Sequence, residues 1–188
     1  MNMVRCHIKK ILFFEDCYCQ IEILPQENYD YCMEQAKISQ AFDEAHFQGL
    51  GYSDVLARQP APHSICMLKL SEHALNTCLQ SAQMIKQEVY TEYDNFSEPC
   101  EDMFAYASDS NNIILFFEKE DDIISTIWLS LDVKSAEDFH MAKTMLSAIS
   151  SLGGLIIADW GWRFIELIRN EYKIAEYLNK RLKVFTAL

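Results

Sequence analysis

Three pairs of residues in this chain have the types that could do chemistry together. Glu137 and His140 stand about one helical turn apart, so on a helix they share a face and could hold a metal ion or pass a proton. His63 and Cys66 put a base near a thiol, the ingredients of a cysteine nucleophile. His73 and Cys78 would point in different directions on one helix. Asp159, at the end of an apolar run, could act as a catalytic acid or satisfy the amides of a turn. None of these has a third partner in the sequence. Glu137 and His140 therefore read as a surface pair, His63 and Cys66 as a loop histidine near a buried thiol, and Asp159 as a turn residue. No Gly-rich phosphate loop, Gly-x-Ser-x-Gly or His-Glu-x-x-His motif is present. The sequence names no reaction and predicts no catalytic residue, no metal site and no cofactor.

Composition narrows the rest. The chain has 188 residues, 50% of them hydrophobic, enough for one sizeable core and a single domain over residues 1–188. Seven cysteines, an odd number without a Cys-x-x-Cys pair, predict free thiols. The apolar run at residues 11–14 is too short for a signal peptide. No run approaches the ~18 apolar residues of a membrane span, so a cytoplasmic location is expected. The net charge of -12 disfavours nucleic acid and anionic membranes and favours a basic partner.

That charge is concentrated. Residues 88–122 hold eleven acids, with only Lys119 opposing them. Glu98, Glu101, Asp102, Asp109, Glu118, Glu120, Asp121 and Asp122 are the candidate partner-binding carboxylates, expected together on hairpin turns at one rim of a sheet. The bland alternative is a solvated surface that keeps an apolar-rich chain soluble. Trp160 is the candidate aromatic anchor, set against the alternative of core or rim packing. Trp128, in an apolar strand, reads as structural. The sign reverses near the C-terminus, with Arg169, Lys173, Lys180, Arg181 and Lys183.

The elements that must hold these residues follow from periodicity. Residues 4–14 and 17–24 predict an antiparallel hairpin turning at Glu15-Asp16, ended by Pro25. A helix is predicted over 27–45, an irregular segment over 48–63 and a short strand over 64–70. Ser71 would cap a helix with Leu75, Cys78, Leu79, Ala82, Ile85 and Val89 at helical spacing. Residues 90–102 read as polar and acidic, with Pro99 excluding regular helix. Residues 104–108, 113–118 and 123–131 predict a three-stranded meander, the middle strand covered on both faces. Ser135 with Asp138 would open a helix whose inner face carries Phe139, Ala142, Leu146, Ile149 and Leu152, stopped by Gly153-Gly154. The run Leu155-Ile156-Ile157-Ala158 leads into a hairpin turning at Trp160-Gly161-Trp162. Asn170 would cap a last helix through Ile174, Tyr177, Leu178 and Leu182. Hairpins mixed with crossovers predict an α+β fold, an antiparallel-rich sheet with helices mainly on one face.

Within residues 155–178 the order is strand, Asp159-Trp160, a strand ending Ile165-Glu166-Leu167, then the capped helix from Asn170 to Leu178. This order resembles the C-terminal end of small immunity proteins from bacterial polymorphic-toxin and contact-dependent or secreted effector systems. The resemblance implies a non-enzymatic protein that binds and blocks one cognate toxin, often a basic nuclease, with no catalytic residues to carry across. The alternatives are a small cytosolic enzyme using the loop around His63 and an adaptor subunit of a bacterial assembly.

Overall fold

The computed structural model describes residues 10–14, 18–49, 51–93 and 96–186. They form one eight-stranded sheet with four α-helices, an α+β fold as predicted. The strands are β1 (Lys10–Phe13), β2 (Ile21–Pro25), β3 (Ile85–Tyr93), β4 (Phe96–Ala107), β5 (Ile113–Glu120), β6 (Ile123–Leu131), β7 (Leu155–Asp159) and β8 (Phe164–Leu167). Their spatial order is β1-β3-β4-β5-β6-β2-β7-β8, and every pairing except β1 with β3 is antiparallel. The helices are α1 (Tyr29–His46), α2 (Glu72–Ser81), α3 (Ala136–Ile149) and α4 (Glu171–Thr186).

The β4–β5–β6 meander forms as its turn residues predict, and β5 is central. Ile113, Leu115 and Phe117 join the main core on one face, while Ile114 and Phe116 are buried on the other. The main core is closed by α2 through Leu75 and Leu79, by α3 through Ala142, Met145, Leu146 and Ile149, and by α4 through Ile174, Tyr177 and Leu178. Only α1 lies on the opposite face, its Cys32 and Ala36 packing against Ile156, Ala158 and Ile165. Leu146 and Ile149 are each 1% exposed. Leu146→Ala and Ile149→Ala are each expected to cost about 2–5 kcal/mol in equilibrium denaturation. Changes below about 0.5 kcal/mol, the range of neutral surface sites, would contradict this packing.

Beyond α1, the second face is covered by β1 instead of a helix. The sheet curls until Phe13 reaches across to Phe116 and Trp128, with ring centroids 6.0 and 6.2 Å apart. Tyr18 closes over Trp128 at 4.9 Å. This corrects the predicted N-terminal hairpin. Strands β1 and β2 do not pair, because four strands stand between them. Ile11 and Phe13 gain more burial beside Val89 and over Trp128 than a two-stranded hairpin would provide. The N-terminal part of that predicted strand, its turn at Glu15-Asp16, and Cys17 lie outside the described residues.

Three further boundaries differ from the prediction. Helix α2 stops at Ser81, and Ile85 and Val89 belong to β3. The helix is closed by Met84 N–H donating to Leu79 O (3.0 Å), with Gln83 in the left-handed region at φ 60°. Residues 64–70 form a 3-10 turn (Ile65–Leu68), not a strand, because Ser64 Oγ accepts from Cys66 N–H and Lys69 turns the chain at φ 48°. The acidic stretch after Tyr90 belongs to a long β3–β4 hairpin.

The predicted caps hold. Ser71 accepts from Ala74 N–H, Ser135 from Asp138 N–H and Asn170 from Lys173 N–H. The hairpin at the Trp160-Gly161-Trp162 turn forms in register, with Ala158 opposite Ile165. Its outer strand β8 ends the sheet. Ile168 N–H points inward to Leu155 O, and the outward Leu167 N–H donates to its neighbour's carboxylate, Glu166 Oε1 (2.9 Å). The described cysteines Cys19, Cys32, Cys66, Cys78 and Cys100 are free. No helix among the described residues is long and apolar enough to cross a membrane.

Candidate functional site

Strand register decides which of the acids stand together. Met103 is opposite Glu118, and Glu120 is opposite Ile123 across the two-residue turn Asp121-Asp122. Asp121 takes φ 55°, a conformation that aspartate tolerates. Glu101 and Asp102, just before Met103, therefore come at the same end of the β4–β5 pair as Glu120, Asp121 and Asp122, and all five are exposed. Glu118 is half-buried and accepts from Tyr18 Oη–H at 3.2 Å. Glu98 is exposed further out on the β3–β4 hairpin, opposite Thr91.

Asp109 does not join them. It sits in the turn after Ala107, at the other end of β4, roughly 20 Å away by strand rise. The expected single rim is thus a correction: β4 and β5 carry acids at both ends. Trp160 is also elsewhere, in the β7–β8 turn, with β6 and β2 between it and β5. Of the remaining acids in the run, Asp94 lies outside the described residues.

The cations nearest the rim are already engaged. Lys86 and Lys119 both donate to Glu72, one to each carboxylate oxygen. The Lys119 and Lys86 hydrogen bonds hold the Glu72 carboxyl below its ordinary range, and Glu72 in turn raises Lys119. Glu72 sits at the start of α2, and its N–H donates to Asp122 O (3.1 Å), so the triad is fixed directly behind the acidic turn. The sequence pattern did not reveal this triad, because its members are far apart in the chain.

Trp160 is an anchor of a different kind. Its Nε1–H donates to Glu22 Oε2 at 2.6 Å, and Arg58 lies 3.9 Å over its ring while pairing with the same carboxylate. The irregular segment 48–63 is thereby tied down. Asn28, fully buried, exchanges two hydrogen bonds with the His63 backbone, and Tyr31 Oη–H donates to Gln59 O. An open groove of about 530 Å³ runs between this segment, α1 and the β7–β8 turn, with Tyr52, Val55 and Leu56 exposed along it.

The candidate enzymatic pairs are not assembled. Glu137 and His140 are both exposed, with no hydrogen bond between them. Among the described residues His63 hydrogen-bonds through its backbone to Asn28, and Cys66 lies half-buried on the 3-10 turn. Cys78 meets Ser151 at 3.9 Å, away from His73. Asp159 takes the turn role: it is 2% exposed and accepts from Trp162 N–H at 3.0 Å. No group of three His, Cys, Asp or Glu among the described residues is placed to hold a metal ion. Comparison with protein-family models, curated proteins and solved structures finds no match.

Proposed function

We propose that this chain is a non-enzymatic binding protein, an immunity protein that docks on a basic toxin through its acidic rim and occludes it. One observation carries the reading. Glu101, Asp102, Glu120, Asp121 and Asp122 stand exposed at one end of the sheet, while the adjacent cations Lys86 and Lys119 are held by Glu72. Lys119 also feels Asp122, but both lysines are bonded to Glu72, so the rim keeps a net negative charge facing solvent. Fixed carboxylates of one sign raise encounter rates with a basic surface and reject acidic ones. Placement on paired strands of one sheet keeps the ordering cost of binding small.

The test is kinetic. The triple variant Glu120→Lys, Asp121→Lys, Asp122→Lys should associate about 10-fold more slowly with the toxin partner at low salt. The deficit should shrink as the Debye length falls towards ~8 Å at physiological salt. Its folding stability should stay within about 1 kcal/mol of the parent, since relief of like-charge crowding offsets lost local contacts. An association rate unchanged at both ionic strengths would reduce the rim to ordinary solvated surface.

A further inference from the structure

The groove between α1, the segment 48–63 and the β7–β8 turn lies apart from the acidic rim. Strand β2 runs antiparallel to both β6 and β7, so Gln20 and the Asp159 end of β7 stand where β5 begins, at the opposite end of the sheet from Asp121-Asp122. The groove's outer wall is tied in place along its length. At its start Ser53 N–H donates to His46 O (3.0 Å), and the Tyr52 ring leans on Phe47 at 5.4 Å. Further on, Arg58 stands on Trp160 and pairs with Glu22, and at the end Asn28 holds His63. Between these ties Val55 is left 86% exposed, with Tyr52 and Leu56 exposed beside it. The walls are thus built before any ligand arrives, which lowers the cost of binding one.

The lining suits one kind of ligand. Its charges are mostly engaged within the chain: Asp43 pairs with Arg163, and Arg58 with Glu22. Asp54 accepts only from its neighbour Val55 N–H (2.8 Å) and meets no cation among the described residues, so it keeps a negative charge. The neutral polar groups on α1 are free. The Gln35 amide and the Ser39 hydroxyl line the groove and hydrogen-bond nothing among the described residues. One helical turn separates them, about 6 Å along the axis. Same-side groups of an extended chain recur every two residues, at about 6.6 Å. An amide and a hydroxyl each donate and accept, so both match the unpaired N–H and C=O of an extended main chain, which a helix would already have used. A sugar would need an open aromatic face, but Arg58 lies 3.9 Å over Trp160 and Phe42 stacks on His46 at 4.3 Å.

We infer that the groove seats an extended peptide segment of a second protein, with a basic residue beside Asp54 and an apolar side chain against Tyr52, Val55 and Leu56. Gln35 and Ser39 take main-chain groups two residues apart and set the register. The apolar side chain brings out of water the surface that the tied segment leaves exposed. The lysine or arginine supplies the charge that Asp54 lacks. This site goes beyond the docking reading and stands or falls without it, because the two surfaces occupy opposite ends of the sheet.

The experiment follows the indole N–H signals of the full, nitrogen-15-labelled chain. Trp160 lines the groove, and Trp128, fully buried in β6, is the control. The probes are acetyl-Lys-Leu-Ala-Leu-amide, its analogues with Phe or Val in place of Leu, the same peptides N-methylated along the backbone, and maltotriose. At least one unmethylated peptide should move the Trp160 signal saturably, while its N-methylated form and maltotriose leave it in place. Gln35→Ala combined with Ser39→Ala should weaken that response about 10-fold. Asp54→Asn, which keeps the oxygen that Val55 N–H needs, should weaken it about 3-fold. An unmoved Trp128 signal in both variants marks an intact fold. Silence from every unmethylated peptide overturns the inference. So does a response that N-methylation or loss of Gln35 and Ser39 leaves unchanged, and so does a response to maltotriose in place of the peptides.

Discussion

Asp159→Ala is expected to destabilise the fold by about 3–5 kcal/mol, the cost of leaving a buried charge without its partner. Asp159 ends β7, and both of its oxygens are used. Oδ1 accepts from Trp162 N–H, while Oδ2 accepts from Tyr177 Oη–H at 2.7 Å and from the Arg181 guanidinium. Arg181 also donates through Nε to Tyr177 Oη (2.7 Å) and through Nη1 to Leu131 O (3.0 Å). Its side chain is only 12% exposed. Burial pushes the Tyr177 hydroxyl well above its ordinary value and Asp159 adds to this, against the opposing charge of Arg181, so the phenol stays a donor. One carboxylate thus joins the β7–β8 turn, α4 and the end of β6. Denaturation of Asp159→Ala, and of the double variant with Arg181→Leu, separates the contributions. The double variant should cost clearly less than the sum of the singles, because it removes the stranded cation along with its partner. A loss below about 1 kcal/mol for Asp159→Ala would show that the network is replaced by water.

Asp138→Ala should cost about 3–4 kcal/mol, with a pH signature that the first substitution need not share. Asp138, 3% exposed, accepts from Ser110 Oγ–H, Asn112 Nδ2–H, Lys134 N–H and Ser135 Oγ–H. It therefore fastens the β4–β5 turn to the first turn of α3. Burial alone would raise its carboxyl, but the hydrogen bonds from Ser135, Asn112, Ser110 and the Lys134 amide together outweigh burial and hold it below its ordinary range. A carboxyl depressed in the folded state stabilises fully above its unfolded value of about 3.9 and loses that stabilisation as pH falls through the lower folded value. Parent and Asp138→Asn stabilities should therefore differ most near neutral pH and converge in acid. A difference constant from pH 7 down to pH ~2 would contradict the hydrogen-bond account.

The local signals were readable wherever one residue type does one job. Ser71, Ser135 and Asn170 cap helices as their side chains predict, and the apolar run of β5 marks the strand covered on both faces. Helix α2 ran too long in the sequence reading because its stop is Gln83, a residue that carries no glycine signal yet takes the left-handed conformation. Pro99 excludes regular helix, and the chain there is strand: it sits opposite Tyr90 where the β3–β4 register shifts, a position where a strand tolerates proline. The parallel pairing of β1 with β3 is non-local and has no local signature, because only the shape of the second core rewards it. The acids of the candidate site were visible as composition. Their grouping was not, since Asp109 and Asp121 differ only in which end of β5 they flank. The Glu72–Lys86–Lys119 triad depends on the same register and was equally hidden.

The outward face of β8 limits how copies of this protein can associate. An unprotected edge strand is a template on which another chain can extend the sheet, the usual start of strand-exchange aggregates. Here the outward Leu167 amide, which an approaching strand would need, is already bonded to the Glu166 carboxylate. An incoming carbonyl would have to displace a charged acceptor with a neutral one and meet that charge unpaired. The strand is also only four residues long, Phe164–Leu167, so few backbone bonds are on offer in exchange. In a chain with half its residues hydrophobic and a mostly antiparallel sheet, the Glu166 side chain thus takes one of the outward amides by which this edge could be extended.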